Sequence, residues 1–209
     1  MITVCWAAKG GSGTTVVAAA MAIASATPTL LIDLAGDVPA VLGVPEPDGP
    51  GVLDWLASEA PASRLPALEV RADAHASVLP RGRTATVLPA RWDELATWLR
   101  HERRNIVVDA GSASDPPPAI VRAADHALLV TRPCYLALRA AVRQPTRPSG
   151  VVLVEEPGRA LRARDVEASL GAPVVATVLL DPAIARAVDA GLLLARLPAG
   201  FRNAVRLAA

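Results

Sequence analysis

The chain has 209 residues, a formal net charge of +1, 52% apolar residues and a mean hydropathy of +0.36. That length can bury a sizeable core as one α/β domain, which is the expectation for residues 1–209. The near-zero charge excludes a global pull toward nucleic acid or anionic lipid, and no run of about twenty strongly apolar residues exists to predict a spanning helix. Alanine and valine supply much of the apolar content, which suits a buried parallel sheet under closely packed helices. The first residues enter a strand without a basic leader or cleavage pattern, so a cytoplasmic protein is expected. Cys5 and Cys134 lie in apolar stretches and read as small hydrophobes, not as a bridge.

Residues 2–7 (ITVCWA) are β-branched and apolar and predict a buried strand. Residues 14–25 (TTVVAAAMAIAS) have the alanine content and length of a helix. Between them runs Lys9-Gly10-Gly11-Ser12-Gly13-Thr14-Thr15. A glycine-rich passage from strand to helix leaves backbone N–H groups unpaired and aimed at one point, where a phosphate anion is favoured. Gly10, Gly11 and Gly13 are expected to supply unusual backbone angles and a close approach. The spacing almost fits the phosphate-loop pattern GxxxxGK[ST], with Ala8 in place of the first glycine and Thr14 in place of the lysine. Lys9 is the only lysine in the chain. Its compact ammonium on a thin stem serves a phosphate differently from a guanidinium.

Residues 29–33 (TLLID) predict a second buried strand ending in Asp33, and the strand–loop–helix–strand order implies a parallel βαβ unit. Residues 36–51 are rich in Gly, Pro and Asp and are expected to form a mobile surface loop outside the core. Residues 52–58 predict a short helix carrying Trp55. Short strands are expected at 68–70 and 77–79, with Pro80-Arg81-Gly82 turning away from the second. Residues 89–104 predict an amphipathic helix with Trp92, Leu95, Ala96 and Leu99 on one face, its tryptophans covering the sheet. Strands follow at 105–109 (NIVVD), 126–131, 150–154 and 173–180, separated by helices at 118–124, 135–143, 164–170 and 182–190. This alternation predicts a doubly wound, mainly parallel sheet with helices on both faces and ligands at the carboxyl ends of its strands.

Lys9 directly before Gly10-Gly11 resembles the deviant Walker A signature, KGGxGK[ST], of the ParA/MinD family of P-loop ATPases. Asp109, closing NIVVD, is similar to that family's Walker B carboxylate, and Asp33 to the first aspartate of its switch I segment. Residues 124–130 (ADHALLV) resemble its AD…LLV strand, and Leu180-Asp181-Pro182 through Gly191 its adenine-side segment. The resemblance covers most of the chain. It implies ATP or ADP bound with Mg²⁺, held by Lys9, Gly10, Gly11, Ser12, Gly13, Thr14 and Thr15, with Asp181 on the base side. It places Thr15, Asp33 and Asp109 at the metal, the hydroxyl as a ligand and the carboxylate of Asp109 through water. Lys9 and Asp33 become the catalytic residues, Lys9 reaching the phosphates held by a partner subunit. The implied function is an ATP-binding homodimeric switch for intracellular positioning or partitioning, acting on a protein cargo or regulator.

The sequence also departs from the pattern. Thr14 replaces the loop lysine, as is common in the CpaE/TadZ branch of pilus-positioning proteins. Asp33-Leu34-Ala35 lacks the second carboxylate of the family's DxD, which positions the attacking water. Asp37 is either its substitute or a turn residue. Glu155-Glu156-Pro157 stands where relatives often place an adenine-reading asparagine. The two losses predict weak or no hydrolysis, and the alternative is a pseudo-ATPase scaffold. An iron–sulfur reading needs a paired cysteine site that Cys5 and Cys134 do not offer, and a tyrosine-kinase tail is excluded by the single Tyr135. Arg159, Arg162 and Arg164, like Arg196, Arg202 and Arg206, read as solvated helix faces or as a patch for non-specific DNA. Phe201, Val205 and Leu207 form a short apolar side, expected to dock on the body and not in a membrane.

Overall fold

The computed structural model describes residues 1–112 and 115–206. Its strands are β1 (Ile2–Ala7), β2 (Thr29–Asp33), β3 (Val70–Arg71), β4 (Ala76–Leu79), β5 (Asn105–Ser112), β6 (His126–Thr131), β7 (Gly150–Glu155) and β8 (Val174–Leu179). They form one eight-stranded sheet in the order β3-β4-β2-β5-β1-β6-β7-β8. Every pair is parallel except β3 with β4 at the edge. From β1 the chain builds β2, β4 and β3 on one side and returns to place β5 between β2 and β1. It then runs through β6, β7 and β8 on the other side, so the strand order reverses beside β1, where a crevice opens at the carboxyl ends.

Ten helices flank the sheet among the described residues: α1 (Thr14–Ala24), α2 (Val38–Leu42), α3 (Val52–Leu56), α4 (Arg91–His101), α5 (Pro118–Ala123), α6 (Tyr135–Arg143), α7 (Ala163–Leu170), α8 (Pro182–Asp189), α9 (Leu193–Arg196) and α10 (Ala199–Arg206). Strand alternation sorts them into two layers. Val4 and Trp6 of β1 join Leu30, Ile32, Ile106 and Val108 in a core shared with α3, α4, α5 and α7. Cys5, Leu31 and Val107 point the other way, to α1, α2 and α10. In α1 the run from Val17 to Ala24 is buried all round, which small alanines permit between a sheet and a second helix. Phe201 and Val205 of α10 are buried against this layer, as the sequence predicts; Leu207 lies outside the described residues. Arg206 Nε donates to the Ala24 carbonyl at 2.6 Å and Arg202 to that of Ile23 at 3.4 Å, satisfying groups that the end of α1 leaves unpaired.

Two expectations need correction. Residues 36–51 are not all surface loop, because α2 interrupts them and buries Val38, Pro39, Val41 and Leu42. Pro39 lies in the first turn, where an N–H has no helical partner, and Gly43 closes the helix at φ 74°. A proline and a glycine that read as breakers therefore bracket a five-residue helix. At 68–70 the chain makes the end of a 3₁₀ turn (Ala62–Leu68), and only the two-residue β3 pairs with the sheet. The tryptophans of α4 behave as expected: Trp92 and Trp98 half-cover the core while Leu95, Ala96 and Leu99 enter it.

Candidate functional site

The site begins where β1 stops at Ala7 and α1 starts at Thr14. Gly11 and Gly13 take φ of 76° and 85°, the left-handed region that favours glycine. Gly10 does not; a Cβ there would meet only Ser112 Oγ, at 3.7 Å. The Ser12 hydroxyl donates to the Lys9 carbonyl at 2.8 Å and ties the loop across itself. The first turn of α1 has no side-chain cap and no acidic residue. Its N–H groups therefore face outward at the positive end of the helix, where an anion is stabilised.

A cleft of about 620 Å³ opens over this helix end. Residues 11–16 line it together with Leu34, Ala35 and Asp37 after β2, Arg81 after β4, and residues 110–112 of β5. Thr14 is buried in its wall and Thr15 is half-buried. Asp33 and Asp109 sit behind the wall, opposite one another in the β2–β5 register, and both are fully buried.

These carboxylates have different surroundings. Asp33 accepts backbone N–H groups from Ala35 at 2.9 Å, Gly36 at 2.6 Å and Val38 at 3.1 Å, so it organises the segment leading into α2. Burial pushes its carboxyl up to about 6, against the pull of those donors. Asp109 accepts the Gly111 N–H at 3.1 Å through Oδ1, with the Thr15 hydroxyl beside it, and its buried Oδ2 has no partner at hydrogen-bond geometry among the described residues. Burial raises this carboxyl as well, opposed by the neighbouring Thr15 hydroxyl and Gly111 N–H. A buried, unpartnered carboxylate oxygen beside a second carboxylate is stabilised by a cation. No group of three or more His, Cys, Asp or Glu could hold a metal among the described residues. The Thr15 hydroxyl and the Asp33 and Asp109 carboxylates are hard oxygen donors, which fit an ion such as Mg²⁺ that keeps water or phosphate oxygens in the rest of its shell.

Two predicted residues lie away from this cleft. Lys9 is exposed and does not line the cleft; it lines a neighbouring hollow with Gly10, Arg132, Tyr135, Leu136 and Arg159, and Ser12 borders both. Asp181 caps α8 by accepting the Ala183 N–H at 2.7 Å. It borders an apolar hollow of about 250 Å³ whose wall includes Val17, Val154, Leu180 and Ile184. Gly13, Val16 and Val188 line both this hollow and the cleft, so the two adjoin. Glu156 turns toward the Lys9 side and pairs with Arg132 at 2.5 Å and Arg159 at 2.7 Å. Asp37, left open between two readings by the sequence, stands on the cleft wall without capping α2. Arg81 read as a turn residue, and only the packing of β4 beside β2 brings it into the cleft.

No protein-family model matches the sequence, and no curated protein matches it. Solved structures do. The MinC:MinD cell division complex of Aquifex aeolicus gives a TM-score of 0.79 at 20% identity over 99% of this chain and 93% of that one. The septum site-determining protein MinD of Pyrococcus horikoshii, complexed with Mg-ADP, gives 0.78 at 20% over 100% and 95%. A ParA family ATPase from Chlorobium tepidum gives 0.74 at 18% over 98% and 97%. The fold is that of the MinD and ParA ATPases. In this MinD/ParA fold the glycine loop, Asp33 and Asp109 meet at the β1 switch point, where ligands of doubly wound sheets bind.

Proposed function

We propose that the chain is a MinD/ParA-type ATP-binding homodimeric switch for positioning or partitioning in the cytoplasm, with weak or no hydrolysis. The carrying observation is the cleft itself, with free N–H groups at the start of α1 on one wall and the unpartnered Asp109 Oδ2 behind another. An anion site beside a cation site matches the charge pattern of a magnesium nucleotide. The Mg-ADP named for the Pyrococcus horikoshii MinD and the MinC named with the Aquifex aeolicus protein support a nucleotide and a protein regulator in turn.

In this reading residues 1–209 act as one nucleotide-binding domain. The amides of Gly10, Gly11, Ser12, Gly13 and Thr14 cradle the phosphates, and Thr15, Asp109 and Asp33 serve Mg²⁺. When bound, Mg²⁺ supplies charge neutralisation at phosphate oxygens. Asp33 contributes chiefly by holding residues 35–38 against the cleft. The apolar hollow beside Asp181 accommodates the base. Thr14 carries no charge and Ala35 no carboxylate, so neutralising the terminal phosphate and orienting water are both weakened. Each loss costs roughly two to three powers of ten in rate. These same two residues favour the pseudo-ATPase scaffold as the second reading.

Lys9 lies outside the lining of its own cleft, in the neighbouring hollow with Tyr135 and Leu136, which are 69% and 58% exposed. That placement supports a role for Lys9 at the phosphates of a second copy. DNA gains little support: Arg159 and Arg162 pair with Glu156 and Glu155, and Arg202 and Arg206 are engaged by α1. No helix among the described residues is long and apolar enough to cross a membrane. Light scattering with ADP, with a slowly hydrolysed ATP analogue and Mg²⁺, and with Lys9→Ala tests the switch. A dimer formed only with the triphosphate and lost in Lys9→Ala is expected; a monomer under all conditions contradicts it.

A further inference from the structure

The geometry points to Arg81 as a phosphate-binding residue that supplies, from the loop after β4, the cation that Thr14 removes from the glycine loop. Arg81 is the only basic side chain lining the cleft among the described residues. It is half-buried, and no acidic side chain among the described residues pairs with it, although Asp37 shares the same cleft. Its one side-chain hydrogen bond among the described residues runs from Nε to the Leu34 carbonyl at 3.3 Å. The two terminal nitrogens remain available, and a guanidinium fork engages phosphate oxygens in pairs.

The loop carrying it is held from outside the cleft. The Pro80 and Arg81 carbonyls accept the Val52 and Leu53 N–H groups at the start of α3, at 2.8 and 2.9 Å. Asp54 accepts the N–H groups of Gly51, Arg83 and Thr84 at 2.8, 3.1 and 3.0 Å. Gly82 has φ 82°, and a Cβ there would fall 1.8 Å from Asp54 Oδ2. Gly36 opens the path into the cleft: at φ 105° its missing Cβ would stand 3.1 Å from Arg81 Cδ. A pinned backbone and a cleared path orient the side chain before any ligand arrives, so little ordering is lost on binding. The Coulomb attraction that a loop lysine would provide is then available from the opposite wall.

This inference rests on the nucleotide reading above, and the test separates the two. ATP and ADP are titrated calorimetrically in Mg²⁺ into the wild type, Arg81→Ala, Arg81→Gln, Thr14→Lys and the Thr14→Lys/Arg81→Ala double variant. Arg81→Ala and Arg81→Gln are expected to weaken ATP on the order of tenfold or more, with a smaller loss for ADP. Thr14→Lys in the Arg81→Ala background is expected to restore most of that loss, which a merely misfolded protein would not show. Wild-type affinity in Arg81→Ala, or a double variant no tighter than Arg81→Ala, overturns the Arg81 assignment alone. A wild type that binds neither nucleotide overturns the nucleotide reading and Arg81 with it.

Discussion

Asp109 and Asp33 show how two aspartates at equivalent strand ends take different parts. Three backbone donors occupy both oxygens of Asp33, whereas Asp109 keeps one oxygen without a partner among the described residues. Asp109→Ala is therefore expected to abolish the Mg²⁺ dependence of ATP affinity, and Asp33→Ala mainly to destabilise the 34–38 segment; calorimetry with and without Mg²⁺, beside thermal melts, checks both. In the proposed switch, turnover is limited by Thr14 and Ala35. Thr14→Lys should tighten ATP more than it speeds phosphate release, because the water stays unoriented. Thr14→Lys with Ala35→Asp should raise release well above wild type, since Gly111 has no Cβ to crowd position 35. Brisk release by the wild type would contradict this and point to Asp37 as the orienting group. The loop from Gly11 to Thr15 and the strand-end carboxylates were legible because their signal is local: glycine spacing and an apolar run that stops at Asp. Arg81 was not, and Asp37 stayed between two readings, since long-range contacts place their side chains.

At the level of elements, short pieces with strong punctuation were the hardest to read. The helix α2, with Pro39 in its first turn and Gly43 at its end, was hidden by that punctuation, and β3 is a two-residue edge pairing that no alternation marks. The longer strands follow their apolar runs closely, because a parallel strand buried on both faces needs an uninterrupted one. Two predictions belong here. Gly82→Ala forces a Cβ into Asp54 at a positive φ and should cost about 1–3 kcal/mol, with a further loss of ATP affinity as Arg81 shifts. Urea denaturation and titration of the same variant separate these effects. Arg104 reaches Glu69 at 2.7 and 2.8 Å and Glu102 at 2.8 Å, linking the 3₁₀ turn to the start of β5. The Arg104 hydrogen bond holds Glu102 down to about 2 from its ordinary 4.5. A depressed carboxyl stabilises the fold above its unfolded pKa and loses that contribution as pH falls through the folded one. Arg104→Leu should thus lower stability at neutral pH, and its deficit should narrow as pH falls from 4.5 toward 2.

Over the whole molecule, the order of the strands around β1 does the positioning. It brings the ends of β2, β4 and β5 to one side of the glycine loop and leaves Lys9 on another, beside exposed Tyr135 and Leu136. The proposed nucleotide cleft, with Lys9 outside its lining, suits the proposed homodimer. All of this depends on nucleotide binding in the cleft. The direct measurement is isothermal titration of ATP into the wild type and Asp109→Ala, each with Mg²⁺ and with EDTA. The account predicts saturable binding to the wild type in Mg²⁺, weakened by EDTA and by Asp109→Ala. No heat and no thermal shift at millimolar ATP, or binding indifferent to both Mg²⁺ and Asp109, would contradict it.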